Sequence, residues 1–178
     1  AQAVEDAGLI FIGPRPETIS STGDKLVARR VAREAGLPIL TGPDEPVADE
    51  IPESLLKQIK YPVLIKAVAG GGGRGIRLAR RHDELEQMVA AARHEAQAAF
   101  GDGTVYFEPL VPQARHIEVQ IIGDGFGRIL CLGERECSIQ RRRQKIIEES
   151  PAPSLSSDMR HQLYEMASNL GQALNYRS

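Results

Sequence analysis

The sequence predicts an α+β fold, in which helices and antiparallel strand pairs follow one another along the chain. Residues 63–80 and 116–133 each contain two β-rich runs separated by glycines, as β-hairpins do. Residues 25–36 and 83–100 instead carry apolar residues every three or four positions, as amphipathic helices do. The chain has 178 residues, 42% of them hydrophobic, which is enough for the core of one or two small domains.

The first 40 residues predict a helix, a strand and a second helix. The segment AVEDAG, residues 3–8, predicts a short helix that ends at a glycine. The apolar run LIFIG, residues 9–13, predicts a buried strand that stops at Gly-Pro. The segment KLVARRVAREAG, residues 25–36, predicts an amphipathic helix. Three candidates for its N-cap precede it: Ser21, Thr22 and Asp24.

The middle of the chain predicts a loop, a hairpin and a long helix. Residues 41–52 are rich in proline and predict a loop or linker, followed by a short helix at 53–60. The strands VLIKAV and GIRLAR, residues 63–68 and 75–80, flank a run of glycines, which would occupy the tip of the hairpin. Residues 83–100 carry one apolar helical face and end at a glycine.

The last third predicts a second antiparallel pair and a final helix. Residues 104–111 and 116–122 predict strands, and the second of these alternates polar and apolar side chains. Residues 128–133 predict its hairpin partner, and a charged segment, 134–153, follows. The final helix, 157–174, has an apolar stripe with no later element to cover it.

The charge balance excludes several classes of function. The chain has 22 Lys and Arg against 24 Asp and Glu, a net charge of −2, so no general positive field attracts nucleic acid or an anionic membrane. Tryptophan is absent and the few aromatic residues are scattered, which argues against a stacking platform for single strands. No apolar run approaches the roughly 20 residues that span a bilayer, and no signal peptide is visible. We therefore expect a cytoplasmic protein without nucleic-acid or membrane partners.

The segment KAVAGGGGRGIR, residues 66–77, has the composition of a phosphate-binding loop. Glycines adopt positive φ and let backbone N–H groups approach an anion, and Lys66 and Arg74 place positive charge beside them. A P-loop would continue with Lys-Ser or Lys-Thr and a helix, and a Rossmann turn would also open a helix, whereas a strand follows here. A flexible hairpin tip without a ligand stays open as the alternative.

Two lysines are candidates for anion binding. Lys66 lies between apolar residues in a predicted strand, where an unpaired ammonium is costly, so we expect it to meet an anion or a carboxylate. Lys25 begins a predicted helix, where a lysine is more often a solvated surface residue than an anion ligand.

The charged segment near residue 140 predicts a paired polar site rather than a nucleic-acid surface. Residues 134–149 hold five cationic and four acidic side chains, so the local net charge is only +1. In the preceding strand, His116 and Glu118 share one face, and either residue alone would more often be structural.

Taken together, these motifs resemble the biotin carboxylase component of biotin-dependent carboxylases, which has the ATP-grasp fold. The resemblance covers essentially the whole chain and is carried by FIGP, GDK at residues 23–25, YPVLIKAVAGGGGRGIR, FEPLV, RHIEVQ and ECSIQRRRQKIIEESPAP. It implies an ATP-dependent ligase that phosphorylates bicarbonate to carboxyphosphate and carboxylates biotin on a carrier protein.

The resemblance also implies roles for individual residues. Lys145 would hold bicarbonate as the catalytic residue, and His116 and Arg143 would contact the nucleotide. Lys25 and Lys66 would contact the ATP phosphates beneath a flap that includes Gly72 and Gly73. The adenine would be read by the segment Glu108, Pro109, Leu110 and Val111.

The implied cofactors and partners are those of the family. ATP and Mg²⁺ or Mn²⁺ would be required, with metal ligands beyond this chain and none within it, and biotin would be the substrate. The partners would be the biotin carboxyl carrier protein or domain and the carboxyltransferase component, and the full-length form would be a homo-oligomer.

The resemblance implies an internal portion of the family's protein, which we do not expect to catalyse the reaction alone. Residues 1–38 would end the N-terminal domain, residues 39–110 would form the ATP-grasp lid, and residues 111–178 would begin the C-terminal domain. Two alternatives stay open from the residues: another ATP-grasp ligase, such as a carbamoyl-phosphate-synthase-type enzyme, or a non-catalytic nucleotide-binding module.

Overall fold

The computed structural model describes every residue except Asp49 and Gly72. The chain forms two compact units, each assembled from separate stretches of sequence. The central unit comprises Asp24–Arg29 and Ile39–Gln113. The flanking unit comprises Ala1–Gly23, Arg30–Pro38 and Ala114–Ser178.

The chain contains both helices and strands, and its sheets are antiparallel, as in an α+β protein. The α-helices are α1 Gln2–Asp6, α2 Pro16–Gly23, α3 Lys25–Glu34, α4 Glu53–Leu56, α5 Leu85–Phe100 and α6 Ser157–Ala173, and a 3₁₀ turn, His82–Glu84, precedes α5. The strands are β1 Val63–Ala67, β2 Ile76–Ala79, β3 Val105–Pro109, β4 Ile117–Gly123, β5 Ile129–Arg141 and β6 Gln144–Glu149. In the described part of the chain, no helix combines the length and the apolar character needed to cross a membrane.

The central unit is built on a three-stranded antiparallel sheet in the order β2-β1-β3. Residues alternate between its two faces, and Val63, Ile65 and Ala67 of β1 are buried on one of them. The apolar side of α5 packs near this sheet and completes a core that includes Phe107 and Leu85. The opposite face of the sheet is therefore the one that can present polar side chains.

Local signals in the sequence set the ends of the predicted helices. Asp24 Oδ1 accepts hydrogen bonds from the backbone N–H groups of Leu26, at 2.8 Å, and Val27, at 3.0 Å, and so caps α3. The other two N-cap candidates lie within α2, a helix that the sequence did not predict. Gly101 ends α5 in the left-handed conformation, with φ of 74°.

The flanking unit contains an antiparallel sheet in the order β4-β5-β6. Helix α6 packs against β4 and β5, and a Cβ at Gly171 would lie 3.1–3.2 Å from side-chain atoms of Ile129 and Ile121, so glycine allows this close approach. The strands that cover the apolar stripe of α6, β4 and β5, precede it in the chain. The helix begins as predicted, with Ser156 Oγ accepting from the N–H of Met159 at 3.2 Å.

Two further expectations need correction. LIFIG is not a buried strand: Ile10 and Ile12 are each 92% exposed, and no strand in the described part of the chain pairs with them. A short apolar run cannot form a strand unless another strand satisfies its backbone groups. The charged segment from 134 onward was not predicted as strand, yet it forms most of β5 and all of β6. Because β6 is exposed throughout, burial contributes little to its stability, and cross-strand pairing and ion pairs stabilise it instead.

Candidate functional site

The glycine loop joins β1 to β2, as predicted, and its backbone requires glycine at specific positions. Gly70, Gly73 and Gly75 have φ of 95°, 75° and 64°. A Cβ at Gly70 would overlap the ring of Phe100, and one at Gly75 would lie 2.7 Å from the Cβ of Ala67. Gly72 lies outside the described residues. The described glycines therefore follow a path that other residues would strain.

Lys25 binds the beginning of this loop. Its Nζ donates hydrogen bonds to the carbonyl oxygens of Val68, at 3.3 Å, and Gly70, at 2.5 Å. Its backbone N–H also bonds Val68 O at 3.2 Å, and Asp24 forms a β-bridge with Ala69. Burial and, next, the positive charge of Lys66 lower the pKa of Lys25. The start of α3 thus places one ammonium against the loop and within the field of a second.

Lys66 and Glu108 form an ion pair on the polar face of the central sheet. Lys66 of β1 faces Tyr106 across the ladder, and Glu108 of β3 faces Leu64, so both side chains project away from the α5 core. Lys66 Nζ hydrogen-bonds to Glu108 Oε2. The carboxylate expected as one possible partner of Lys66 is therefore Glu108, which is 8% exposed.

Arg29 is a third charged member of this group, and sequence reasoning missed it. Its Nη1 lies 3.1 Å from Glu108 Oε1, its Nε donates to Asp44 Oδ1 at 3.0 Å, and its Nη2 donates to Leu40 O at 2.7 Å. The one available signal was its position one helical turn after Lys25, on the same side of α3.

Tyr106 lies on the same face of the sheet as Lys66 and is buried, with only 2% of its surface exposed. Burial and then the negative charge of Glu108 raise the pKa of Tyr106 to about 12, so its phenol is neutral. Strand β3 ends just after Glu108: Pro109 still pairs with Val63, Leu110 N–H bonds Pro62 O at 3.5 Å, and Val111 is 43% exposed. Val111 is therefore the exposed residue just beyond the end of β3.

In the flanking unit, Glu118 lies between two cations. Lys145 Nζ donates to Glu118 Oε2 at 2.6 Å, and Arg135 Nε donates to Glu118 Oε1 at 2.8 Å. The hydrogen bond from Lys145, together with that from Arg135, outweighs desolvation and lowers the pKa of Glu118 to about 2. The same contact raises the pKa of Lys145. The segment near residue 140 is thus a paired polar site, as its balanced charge predicted.

His116 lies beside this group. Its Nε2 is 3.7 Å from Glu118 Oε2, and its Nδ1 is 2.8 Å from Gln140 Nε2. Its backbone carbonyl accepts from the N–H of Cys137 at 2.8 Å. The face shared by His116 and Glu118 therefore carries one connected set of polar side chains.

Arg143 lies in the turn that joins β5 to β6. Arg141 pairs with Gln144, so the turn has two residues, Arg142 and Arg143, with φ of 50° and 63°. Positive φ at both central positions is what a type I′ hairpin turn requires, and non-glycine residues adopt it at a cost. Strained backbone of this kind often occurs where a protein binds a ligand.

Three ligand-type side chains of the flanking unit lie close enough to share an ion: Glu118, Cys137 and Glu148. Lys145 and Arg135 already neutralise Glu118, and Cys137 is a buried thiol whose pKa is raised by burial. Magnesium prefers several oxygen ligands and keeps bound waters. This group therefore does not fit a magnesium ion.

The sequence pattern of the family described as "Carbamoyl-phosphate synthase L chain, ATP binding domain" matches residues 24–178. The chain belongs to this family. The matched range includes Lys25, Lys66 and the Glu118 group, so each cluster described above lies within it.

Two relatives of this chain are carboxylases. The chain is 47% identical over 177 residues to the biotin carboxylase of Nostoc sp., covering 99% of this chain and 40% of that protein. It is 45% identical over 177 residues to the pyruvate carboxylase of Bacillus subtilis, covering 99% of this chain and 15% of that protein. The chain thus spans less than half the length of the relatives that it matches.

A solved structure gives the fold. The biotin carboxylase domain dimer of Hydrogenobacter thermophilus 2-oxoglutarate carboxylase, in complex with MgADP, ADP and bicarbonate, matches with a TM-score of 0.95 and 40% identity. The match covers 100% of this chain and 40% of that one. The predicted α+β fold of ATP-grasp type is therefore confirmed, and so is the resemblance to biotin carboxylases.

Proposed function

We propose that the protein carrying this chain catalyses ATP-dependent carboxylation of biotin on a carrier protein, with bicarbonate as the carbon source and carboxyphosphate as the intermediate. The observation that supports this most strongly is the placement of Lys25 and Lys66 beside the glycine loop, in a chain 47% identical to a biotin carboxylase. An oxygen of bicarbonate would attack the γ-phosphorus of ATP, and ADP would leave.

In the central unit, the proposed task is to bind ATP. Lys25 and Lys66 would neutralise the phosphates, and Gly72 and Gly73 would belong to the flap that covers them. Burial and the charge of Lys66 lower the pKa of Lys25, and an anion that binds beside the two ammonium groups would relieve their repulsion. Glu108 would lie near the adenine, and the strand end formed by Pro109, Leu110 and Val111 would offer its backbone to the base edge.

In the flanking unit, the proposed task is to hold bicarbonate and to contact the nucleotide. Lys145 would bind bicarbonate, and His116 and Arg143 would contact the nucleotide. The strong bond to Glu118 keeps the Lys145 ammonium charged and limits its motion. A charged, positioned donor is suited to an anion that must stay in place during phosphoryl transfer.

Mg²⁺ or Mn²⁺ is part of the proposal, because the Hydrogenobacter domain was solved with MgADP. Bound to ATP, the metal neutralises phosphate charge during transfer. Since the three-residue group at Glu118 does not fit it, we assign no metal ligand among the described residues.

The proposed partners follow from the relatives. A biotin carboxyl carrier protein or domain would bring the substrate, a carboxyltransferase component would use the product, and the complete protein would be a homo-oligomer, as the dimeric Hydrogenobacter domain is. The domain limits at 38/39 and 110/111 stay part of this proposal.

The experiment is an ATPase assay on the complete protein. We expect ATP hydrolysis that requires bicarbonate and is stimulated by free biotin, and that is abolished by Lys66→Ala and by Lys145→Ala. Lys57→Ala is the matched control, because the side chain of Lys57 is 72% exposed and forms an ion pair with Glu53, one helical turn away. Hydrolysis that proceeds equally without bicarbonate would contradict the proposal.

A further inference from the structure

We propose that Arg29 is a positioning residue, which bonds one oxygen of Glu108 and so weakens the ion pair between Glu108 and Lys66. This inference rests on the proposed function, because it concerns how the same lysine becomes available to the phosphates of ATP. It adds a residue that the sequence motifs did not include.

The geometry divides the Glu108 carboxylate between two cations. Oε1 lies 3.1 Å from Arg29 Nη1, whereas Oε2 bonds Lys66 Nζ. Each oxygen therefore has its own cation. A carboxylate that is fixed at one oxygen cannot turn to give both oxygens to the ammonium.

The guanidinium of Arg29 is itself held by further hydrogen bonds. Its Nε bonds Asp44 Oδ1 at 3.0 Å and its Nη2 bonds Leu40 O at 2.7 Å, so that with Glu108 three acceptors fix the plane of the guanidinium. The side chains of Arg29 and Glu108 are only 12% and 11% exposed. Little water screens this pair, so its geometry affects the energy of neighbouring charges.

The consequence concerns Lys66, whose side chain is 24% exposed. ATP phosphates must compete with Glu108 for this ammonium. If Arg29 were neutral, Glu108 would have one cation fewer and would bind Lys66 more strongly, and phosphate binding would weaken. Adenosine lacks phosphate and does not compete for Lys66, so it should lose less affinity than ATP, even though Glu108 is proposed to lie near the adenine.

The test measures binding of ATP, tripolyphosphate and adenosine to the complete protein by calorimetry or competition. Arg29→Met keeps the length of the side chain but removes its charge, and we expect a roughly tenfold weaker binding of ATP and of tripolyphosphate, within the usual range for coupled neighbours. Adenosine binding should stay within about twofold. Arg30→Met is the matched control, since Arg30 is the next residue of the same helix and is exposed.

Glu108→Gln supplies a second arm, whose first measurement does not depend on the stability of Arg29→Met. Glutamine cannot pair ionically with Lys66, so tripolyphosphate should bind more tightly, and adding Arg29→Met to this variant should change its binding less than twofold, roughly. A direct or purely structural role of Arg29 predicts the same loss with Glu108 or Gln at that position, and that result would overturn the inference. An equal loss for adenosine would overturn it too.

The outcomes also separate this inference from the proposed function. If the unaltered protein binds neither ATP nor tripolyphosphate, the proposed function fails and the inference with it. If it binds both and Arg29→Met binds them equally well, only the inference fails.

Discussion

Lys145 bonds Glu118 at 2.6 Å, although the two residues lie on the outer strands, β6 and β4, of a three-stranded sheet. The contact spans the central strand, β5, from which Arg135 approaches the second oxygen of the same carboxylate. One ionised acid therefore links all three strands, and its protonation state should affect the stability of the sheet.

We expect Glu118→Gln to remove part of the acid sensitivity of the fold. The folded pKa of Glu118, about 2, is below its ordinary value of 4.5. Its contribution is therefore complete above pH 4.5 and is lost as the pH falls from 4.5 towards 2. Urea unfolding followed by circular dichroism across this range should show a smaller pH dependence in the variant, together with lower stability at pH 7.

Glu165→Gln is the control for this experiment, since Glu165 is an exposed acid of α6. Its pH dependence should match that of the unaltered protein. If Glu118→Gln and the unaltered protein lose stability in parallel as the pH falls, the ion pair does not hold Glu118 ionised.

Glu134→Gln should destabilise the flanking unit. Glu134 is 1% exposed, and it accepts from Arg160 Nε at 2.7 Å, from the N–H of Ala152 at 3.1 Å and from the hydroxyl of Tyr164. Desolvation opposes its charge, but these bonds outweigh it and lower the pKa of Glu134 to about 2. Replacing a buried, paired carboxylate should lower the free energy of unfolding by about 2–3 kcal/mol, measured by urea denaturation.

Tyr164→Phe separates the contributions, because it removes a single hydrogen bond from the same group. It should cost about 1 kcal/mol. A loss from Tyr164→Phe as large as that from Glu134→Gln would mean that packing at Tyr164, rather than the charge of Glu134, stabilises the unit.

Features that depend on nearby residues could be predicted from the sequence. The helix that begins after Asp24 and the hairpin around the glycines depend on a cap, a period and a turn, all within about 15 residues. The expectation that Lys66 has an anionic partner also followed from its own neighbours. The motif residues were predicted as a set through resemblance, not through spacing.

Features that depend on distant pairing could not be predicted. Arg29 meets Glu108, 79 residues away, and no period or motif links the two. Residues 9–13 have the composition of a strand but no pairing partner in the described chain. The β5–β6 hairpin shows the converse, because exposed, highly charged residues form strands once cross-strand partners are available.

Arg142→Gly should stabilise the protein. Arg142 has φ of 50° in a two-residue turn, where glycine avoids the steric cost that an L-residue bears. We expect the free energy of unfolding to rise by about 0.5–1 kcal/mol in thermal or chemical denaturation. Arg141→Gly is the control: it lies in β5, where glycine weakens a strand, and it should lower stability.

Gly70→Ala should destabilise the central unit, because Gly70 has φ of 95° and a Cβ there would overlap the Phe100 ring. Positive φ alone costs about 1–2 kcal/mol for an L-residue, and the overlap adds to it. Gly71→Ala is the matched control, since a Cβ at Gly71 meets no other atom within 4 Å. Equal stability of the two variants in urea denaturation would show that Phe100 does not restrict the loop.

Lys25 should take up protons when ATP binds at alkaline pH. In the free protein, burial and the charge of Lys66 lower its pKa, so a fraction of Lys25 is neutral at a pH where an ordinary lysine is still charged. Phosphate beside it favours the ammonium and raises the pKa again. ATP affinity should therefore fall as the pH rises through the lowered pKa, because binding must then recruit a proton.

Calorimetry in buffers of different ionisation enthalpy measures that proton uptake directly. Lys25→Met should abolish the uptake and weaken ATP binding at every pH, whereas Lys57→Met should leave both unchanged. If uptake persists in Lys25→Met with its pH dependence intact, another group titrates, and Lys25 is not the lysine that the phosphates recharge.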